Sequence, residues 1–203
     1  MRSYLIVILL GYLLGSSSMS FYISKFMKID IREKGSKNLG ASNAMIILGW
    51  KYGLLVGIHD IGKSVLAVVL ARVLFPELEI APVLAGISSV LGHIFPFYLK
   101  FKGGKGFASY IGMTLGLNWK LFIVIGLLVI IITLITDYIV LGTTLTITAV
   151  PIYFAITGHN WIAPLILLIG TLVIAYKHRM NYVRIYKGTE IGLRSANRGD
   201  HRS

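Results

Sequence analysis

The stretch Phe107-Ala108-Ser109-Tyr110-Ile111-Gly112-Met113-Thr114-Leu115-Gly116-Leu117-Asn118-Trp119-Lys120 decides how many times this chain crosses a membrane. Its apolar part, residues 107–117, is too short for a full crossing, which takes about 20 residues. Asn118-Trp119-Lys120 is a polar-aromatic break of the kind found at a membrane interface. Read through that break, residues 107–136 make one helix about 45 Å long at 1.5 Å per residue. Read as a break, they make two helices, the first short or partly re-entrant.

The segments on either side give the same fold class. Apolar runs cover roughly 3–24, 52–75, 80–99, 107–117, 121–136, 138–157 and 160–176. The 203 residues are 56% hydrophobic and 14% charged, with a mean hydropathy of +0.78. A soluble domain cannot hide that much apolar surface, so an all-α membrane protein of about seven helices is expected, as one domain over 1–203. The first segment lacks a clear signal-peptide cleavage site and reads as a retained helix. Cysteine is absent, which excludes disulfides and thiolate chemistry.

Charge orients the helices. The net charge is +12, and it gathers in three places. Residues 25–51 hold Lys25, Lys28, Arg32, Lys34, Lys37 and Lys51; residues 100–105 hold Lys100, Lys102 and Lys105; the tail from Lys177 holds seven more basic residues. The opposite connection, Pro76-Glu77-Leu78-Glu79, has two acids and no base. Basic loops stay in the cytoplasm. Seven crossings put all three clusters inside and the N-terminus outside, whereas six would put the basic tail outside. The charge thus points to a membrane surface and not to nucleic acid.

The polar sequence then lies on one face, in Asp30–Asn43, Gly92–Ala108 and His178–Glu190. Lys102-Gly103-Gly104-Lys105-Gly106 has the composition of a phosphate site, with glycines leaving backbone N–H groups accessible and lysines adding positive charge. Arginines, amides and small hydroxyls in the other two stretches suit phosphate and hydroxyl groups. The plain alternative is three solvated basic loops.

Within the second apolar segment stand His59, Asp60 and Lys63. Asp60 lies nine residues past Lys51, roughly 13 Å along a helix, and Asp60 and Lys63 share a helical face. Such groups face the bundle interior or a water-filled cavity. Two readings follow, a buried pair locking helices together or a support beneath an active site. Gly57-Ile58-His59-Asp60-Ile61-Gly62-Lys63-Ser64 fits the nucleotide-binding pattern G-x-x-x-x-G-K-[ST]. That pattern works only after a buried strand in an α/β sheet, so no nucleotide is expected here. H-x-x-x-x-D, H-E-x-x-H and G-x-S-x-G are missing, and the acids are too scattered for a metal site.

The three polar stretches together resemble those of the bacterial integral-membrane acyl-phosphate:glycerol-3-phosphate acyltransferases. Asp30–Asn43 is similar to that family's D-I-R-x-x-G-S-G-N-x-G-A-T-N. Gly92–Ala108 is similar to G-H-x-F-P-x-F-x-x-F-K-G-G-K-G-V-A, and His178–Glu190 to H-R-x-N-I-x-R-L-x-x-G-x-E. The order matches over nearly the whole chain. The resemblance implies a seven-helix membrane enzyme in the bacterial cell membrane, with its site at the cytoplasmic face. It implies transfer of a fatty acyl group from acyl phosphate to the sn-1 hydroxyl of glycerol 3-phosphate, with no cofactor.

It also implies roles. Arg32, Ser36, Asn38 and Asn43 meet glycerol 3-phosphate, and Gly103, Gly104, Lys105 and Gly106, with Lys102, hold the acyl-phosphate head group. His178, Arg179, Asn181 and Glu190 complete the site, with His178, Asn181, Ser36 and Arg32 as its catalytic group. Either His178 or the substrate's own phosphate takes the hydroxyl proton. His93 reads as a supporting residue. The chain departs from the family pattern at Lys37, which stands for a glycine, at Ser42 for threonine, and at Gly15-Ser16-Ser17-Ser18, which lacks a proline. It departs again at Ser64 in Asp60–Ser64, and at Asp137-Tyr138-Ile139-Val140-Leu141-Gly142-Thr143, which lacks an arginine and a serine. It thus resembles a divergent member of that family. The competing readings are a catalytically weak paralogue that binds lipid intermediates and a transporter of a small phosphorylated solute. A transporter would show repeated halves with broken helices and midplane sites, and no repeat is visible.

Overall fold

The computed structural model describes residues 1–158 and 160–194. Among them the secondary structure is helical: α1 (Arg2–Ser16), α2 (Met19–Phe26), α3 (Ala41–Leu48), α4 (Trp50–Leu74), α5 (Ala81–Ile94), α6 (Phe107–Leu117), α7 (Trp119–Thr136), α8 (Ile139–Thr157) and α9 (Ile162–Tyr186), with a short 3-10 turn at Phe97–Leu99. Among the described residues six stretches are long and apolar enough to cross a membrane, and α6 is a shorter apolar helix. The chain divides into two compact units, Met1–Asn118 and Trp119–Ser203.

Residues 107–136 are therefore two helices, as the break at Asn118 predicts. Asn118 takes an extended conformation (φ −152°, ψ 101°) and ends α6. Several boundaries differ from the sequence reading, among them the end of α5 at Ile94 and not at 99. The first apolar run is broken at Ser17 and Ser18, where Ser18 caps α2 by accepting the Phe21 N–H at 3.4 Å. The basic stretch 25–51 contains α3. The last helix runs ten residues past 176, to Tyr186, because 177–186 contains neither glycine nor proline. It stops where Gly188 turns left-handed, and Thr189 N–H then bonds back to the Arg184 carbonyl at 2.8 Å. His178, Arg179 and Asn181 thus stand on a rigid helix and not on a loop.

In the first unit, small residues let the helices meet backbone to backbone. A β-carbon at Gly11 would fall on the Ala85 carbonyl, one at Gly15 on that of Ser89, and one at Gly92 on that of Tyr12, so α1 and α5 pack closely. Gly112 does the same for α6 against Ile61 of α4. Apolar association gains little in lipid, so close contact of this kind carries helix packing there. A small-residue core of Val7, Ala67, Ala71, Ala81 and Ala85 marks one junction. A second core of Ile23, Ile31, Leu39, Ala44, Leu48, Val56 and Leu99 ties the Asp30–Asn43 loop to the start of the glycine-lysine stretch.

In the second unit, Gly142 of α8 faces Val129 of α7, and Thr171 of α9 donates to the Ile147 carbonyl of α8 at 2.5 Å. The outward face of α7, with Val124, Leu127, Ile130 and Ile135 all exposed, is apolar, as a lipid-facing helix is.

Candidate active site

The Asp30–Asn43 loop is organised by one buried amide. Asn43, at the start of α3, accepts the Ser36 N–H at 2.9 Å through Oδ1. Its Nδ2 group donates to the carbonyls of Ile31 (2.8 Å), Asn38 (2.9 Å) and Lys34 (3.2 Å). Within the loop, Asn38 donates to Ser36 Oγ at 2.7 Å and accepts the Gly40 N–H at 2.8 Å. Ser36 is exposed. Arg32 lies over the Phe21 ring at 6.0 Å and forks onto Asp30, Nε to Oδ1 at 2.9 Å and one terminal nitrogen to Oδ2 at 2.6 Å. The Arg32 guanidinium, through this hydrogen bond, lowers the Asp30 pKa to about 2, and the pair raises that of Arg32. Lys37 is left-handed (φ 54°) at the position where the family pattern has glycine.

The glycine-lysine stretch forms a turn between α5 and α6. Lys100 and Phe101 are both left-handed (φ 53° and 59°) and reverse the chain. Gly103 N–H then bonds the Ile94 carbonyl at 3.1 Å, and Gly104 N–H bonds that of His93 at 3.2 Å. The expectation that these two N–H groups face a phosphate does not hold, because the end of α5 takes them. Gly103 and Gly104 serve close approach instead: a β-carbon on the first would strike the His93 carbonyl, and one on the second the His93 ring. Gly106, left-handed at φ 97°, starts α6, which has no side-chain cap. The first N–H groups of α6 have no partner within the helix and carry its positive dipole end. Lys102 is exposed and Lys105 half-buried beside them.

Beneath the turn, Asp60, Lys63 and His93 are buried together. Residues 57–64 lie wholly inside α4, so the nucleotide-like pattern has its N–H groups in helical bonds. Beside this cluster a groove of about 560 Å³ runs between α1 and α4, lined by Leu10, Leu13, Leu14, Gly62 and Leu66, with Ser17, His59 and Lys63 as its polar residues.

In the second unit, His178 is buried and its Nδ1 lies 2.9 Å from the Ile174 carbonyl. A carbonyl only accepts, so Nδ1 carries the proton and Nε2 is the basic nitrogen of the neutral ring. Asn181, one turn on, donates to Glu190 Oε1 at 2.6 Å, and Arg184 Nε donates to Oε2 at 2.6 Å. Glu190 thus clamps the chain after α9 to its last turn. Arg179 is exposed, its guanidinium 4.0 Å over the Tyr176 ring.

Residues 5–188 match the profile of the glycerol-3-phosphate acyltransferase family. This chain belongs to that family. It is 36% identical to glycerol-3-phosphate acyltransferase 1 of Oceanobacillus iheyensis, covering 95% of this chain and 96% of that one. It is 40% identical to glycerol-3-phosphate acyltransferase 2 of Bacillus anthracis, covering 92% and 97%. Among solved structures it resembles PlsY (YgiH), an integral membrane glycerol 3-phosphate acyltransferase, in its glycerol 3-phosphate form. The TM-score is 0.89 at 29% identity, over 96% of this chain and 98% of that one.

The acyltransferase is thus a multi-pass membrane protein. Its predicted site residues fall into two groups, Arg32, Ser36, Asn38, Asn43 and Lys102–Gly106 in the first unit, and His178, Arg179, Asn181 and Glu190 in the second. Within the first unit, Leu99 packs in the same core as Ile31 and Leu39, which joins its two loops. Sequence reasoning did not single out Arg184 as a site residue, although it stands at the second arginine of H-R-x-N-I-x-R-L-x-x-G-x-E, six residues before Glu190. It also missed the α1–α4 groove, which leaves no mark in an apolar sequence.

Proposed function

We propose that this acyltransferase moves a fatty acyl group from acyl phosphate to the sn-1 hydroxyl of glycerol 3-phosphate, giving lysophosphatidic acid and inorganic phosphate for phospholipid synthesis. The observation that carries this reading is the turn 102–106. It brings Lys102, Lys105 and Gly106 to the uncapped start of α6, a charge pattern suited to an anionic head group. A mixed anhydride carries its own leaving group, so binding, charge stabilisation and alignment suffice, and the chemistry calls for no metal or cofactor.

The donor's phosphate sits at that turn and its tail in the α1–α4 groove. Arg32, Ser36 and Asn38 hold glycerol 3-phosphate, with Asn43 ordering their loop. The domain runs over 1–203; in its second unit His178, Arg179 and Asn181 act in catalysis and Glu190 braces Asn181. The sn-1 oxygen forms a bond to the acyl carbon, the acyl–phosphate C–O bond breaks, and phosphate leaves with the electron pair. The hydroxyl proton goes to His178 Nε2 or to the substrate's own phosphate. The site faces the cytoplasm of a bacterial cell, in line with the three basic clusters.

Product formation by purified protein in lipid tests the reading. His178→Ala then separates the two bases: turnover lowered by 10²-fold or more supports the histidine, and turnover retained with substrate binding intact leaves the proton to the substrate phosphate.

A further inference from the structure

Asp60 and Lys63 of α4 have no part in the chemistry above, yet both are tied to the ends of the turn. Lys63 has three polar partners: the Ser17 carbonyl at 2.7 Å, Asp60 Oδ1 at 2.8 Å and His93 Nδ1 at 3.0 Å. His93 Nδ1 faces both charges of the pair, 3.0 Å from Lys63 Nζ and 3.3 Å from Asp60 Oδ1, which leaves Nε2 on the ring's far edge. That edge of the ring is the one against Gly104, where a β-carbon would fall on Nε2. The His93 carbonyl takes the Gly104 N–H as well. The same stretch of α4 holds the other end of the turn, where Ser109 Oγ, in the first turn of α6, donates to the Asp60 carbonyl at 3.3 Å.

A buried ion pair costs desolvation and is weak evidence of a stabilising role, and inside a membrane segment such groups usually mark function. We propose that Asp60, Lys63 and His93 are positioning residues for the acyl-phosphate donor: Asp60 fixes Lys63, Lys63 fixes the His93 ring, and the ring sets the place of Gly104 and so of Lys105 and Gly106. The assignment rests on the reading of residues 102–106 as the donor's phosphate turn. Acceptor binding lies outside its reach, since the Asp30–Asn43 loop is ordered by Asn43.

The test is steady-state kinetics with palmitoyl phosphate and glycerol 3-phosphate on His93→Asn, Gly104→Ala and the double variant. Asparagine keeps an acceptor for Lys63 but removes the ring from Gly104. His93→Asn and Gly104→Ala are each expected to raise the donor KM about tenfold or more, leaving the glycerol 3-phosphate KM within about twofold. The methyl group of Gly104→Ala acts against the ring, so the double variant is expected to have the donor KM of His93→Asn alone. A multiplicative rise in the double variant, or a rise in both KM values together, overturns the brace. A donor KM unmoved in Gly104→Ala overturns the reading of the turn, and the brace with it. A raised KM in Gly104→Ala with none in His93→Asn overturns the brace alone. If His93→Asn does not yield folded protein, Asp60→Asn with Lys63→Met, which removes both charges, is read in the same way.

Discussion

Asn43 Oδ1 accepts the Ser36 N–H at 2.9 Å, and through this bond a buried amide sets the shape of a loop whose other polar residues face outward. Asn43→Ala would leave the carbonyls of Ile31, Lys34 and Asn38 without their donor. It is expected to lower stability by about 2–3 kcal/mol and to raise the glycerol 3-phosphate KM. Thermal unfolding in lipid or detergent measures the first and kinetics the second. A variant as stable as the parent contradicts the loop-ordering role.

Lys37 adopts φ 54°, where a β-carbon is strained. Lys37→Gly should raise stability by up to about 1 kcal/mol, since the strain relieved slightly exceeds the entropy that glycine adds to the unfolded chain. Activity should hold or rise. A fall in stability would mean that the lysine side chain makes a contact that outweighs its backbone strain.

Arg32 keeps Asp30 ionised down to a pKa of about 2. A carboxyl with a depressed folded pKa contributes stability that is present above its unfolded value near 3.9 and lost as pH falls toward 2. Both side chains are over a third exposed, so the contribution is under about 1 kcal/mol and salt-sensitive. The stability difference between parent and Asp30→Asn should therefore be small at pH 7 and vanish between pH 4 and pH 2. A difference that grows on acidification contradicts the pairing.

Gly62 has open space where a side chain would project and lines the α1–α4 groove. Gly62→Phe should fill the groove, lowering kcat/KM for palmitoyl phosphate about tenfold or more while sparing a donor with an eight-carbon chain (cf.). Equal loss with both donors would place the tail elsewhere.

Much of this was legible in the sequence. Hydropathy marks the long helices, and Asn118-Trp119-Lys120 marks the break that makes α6 and α7 separate. Pairing across sequence distance is what the residue types leave open. Asn43 reads as a substrate-facing amide, but the carbonyls it satisfies are backbone groups set by the loop's path. Gly103 and Gly104 read as N–H donors to phosphate, yet their N–H groups close on α5, and what makes them glycine is the nearness of His93. Lys63 and His93 are 30 residues apart and meet only because α4 packs on α5. The extension of α9 was hidden because residues past 176 turn polar, and hydropathy measures the lipid boundary and not the helix end.

The central claim is tested most directly by one donor comparison. Purified protein in lipid is given labelled glycerol 3-phosphate with palmitoyl phosphate or with palmitoyl-CoA, and lysophosphatidic acid is quantified. Product from palmitoyl phosphate alone is the result predicted. No product from either donor, from protein shown to be folded, would contradict the account, and product from palmitoyl-CoA alone would contradict the choice of donor.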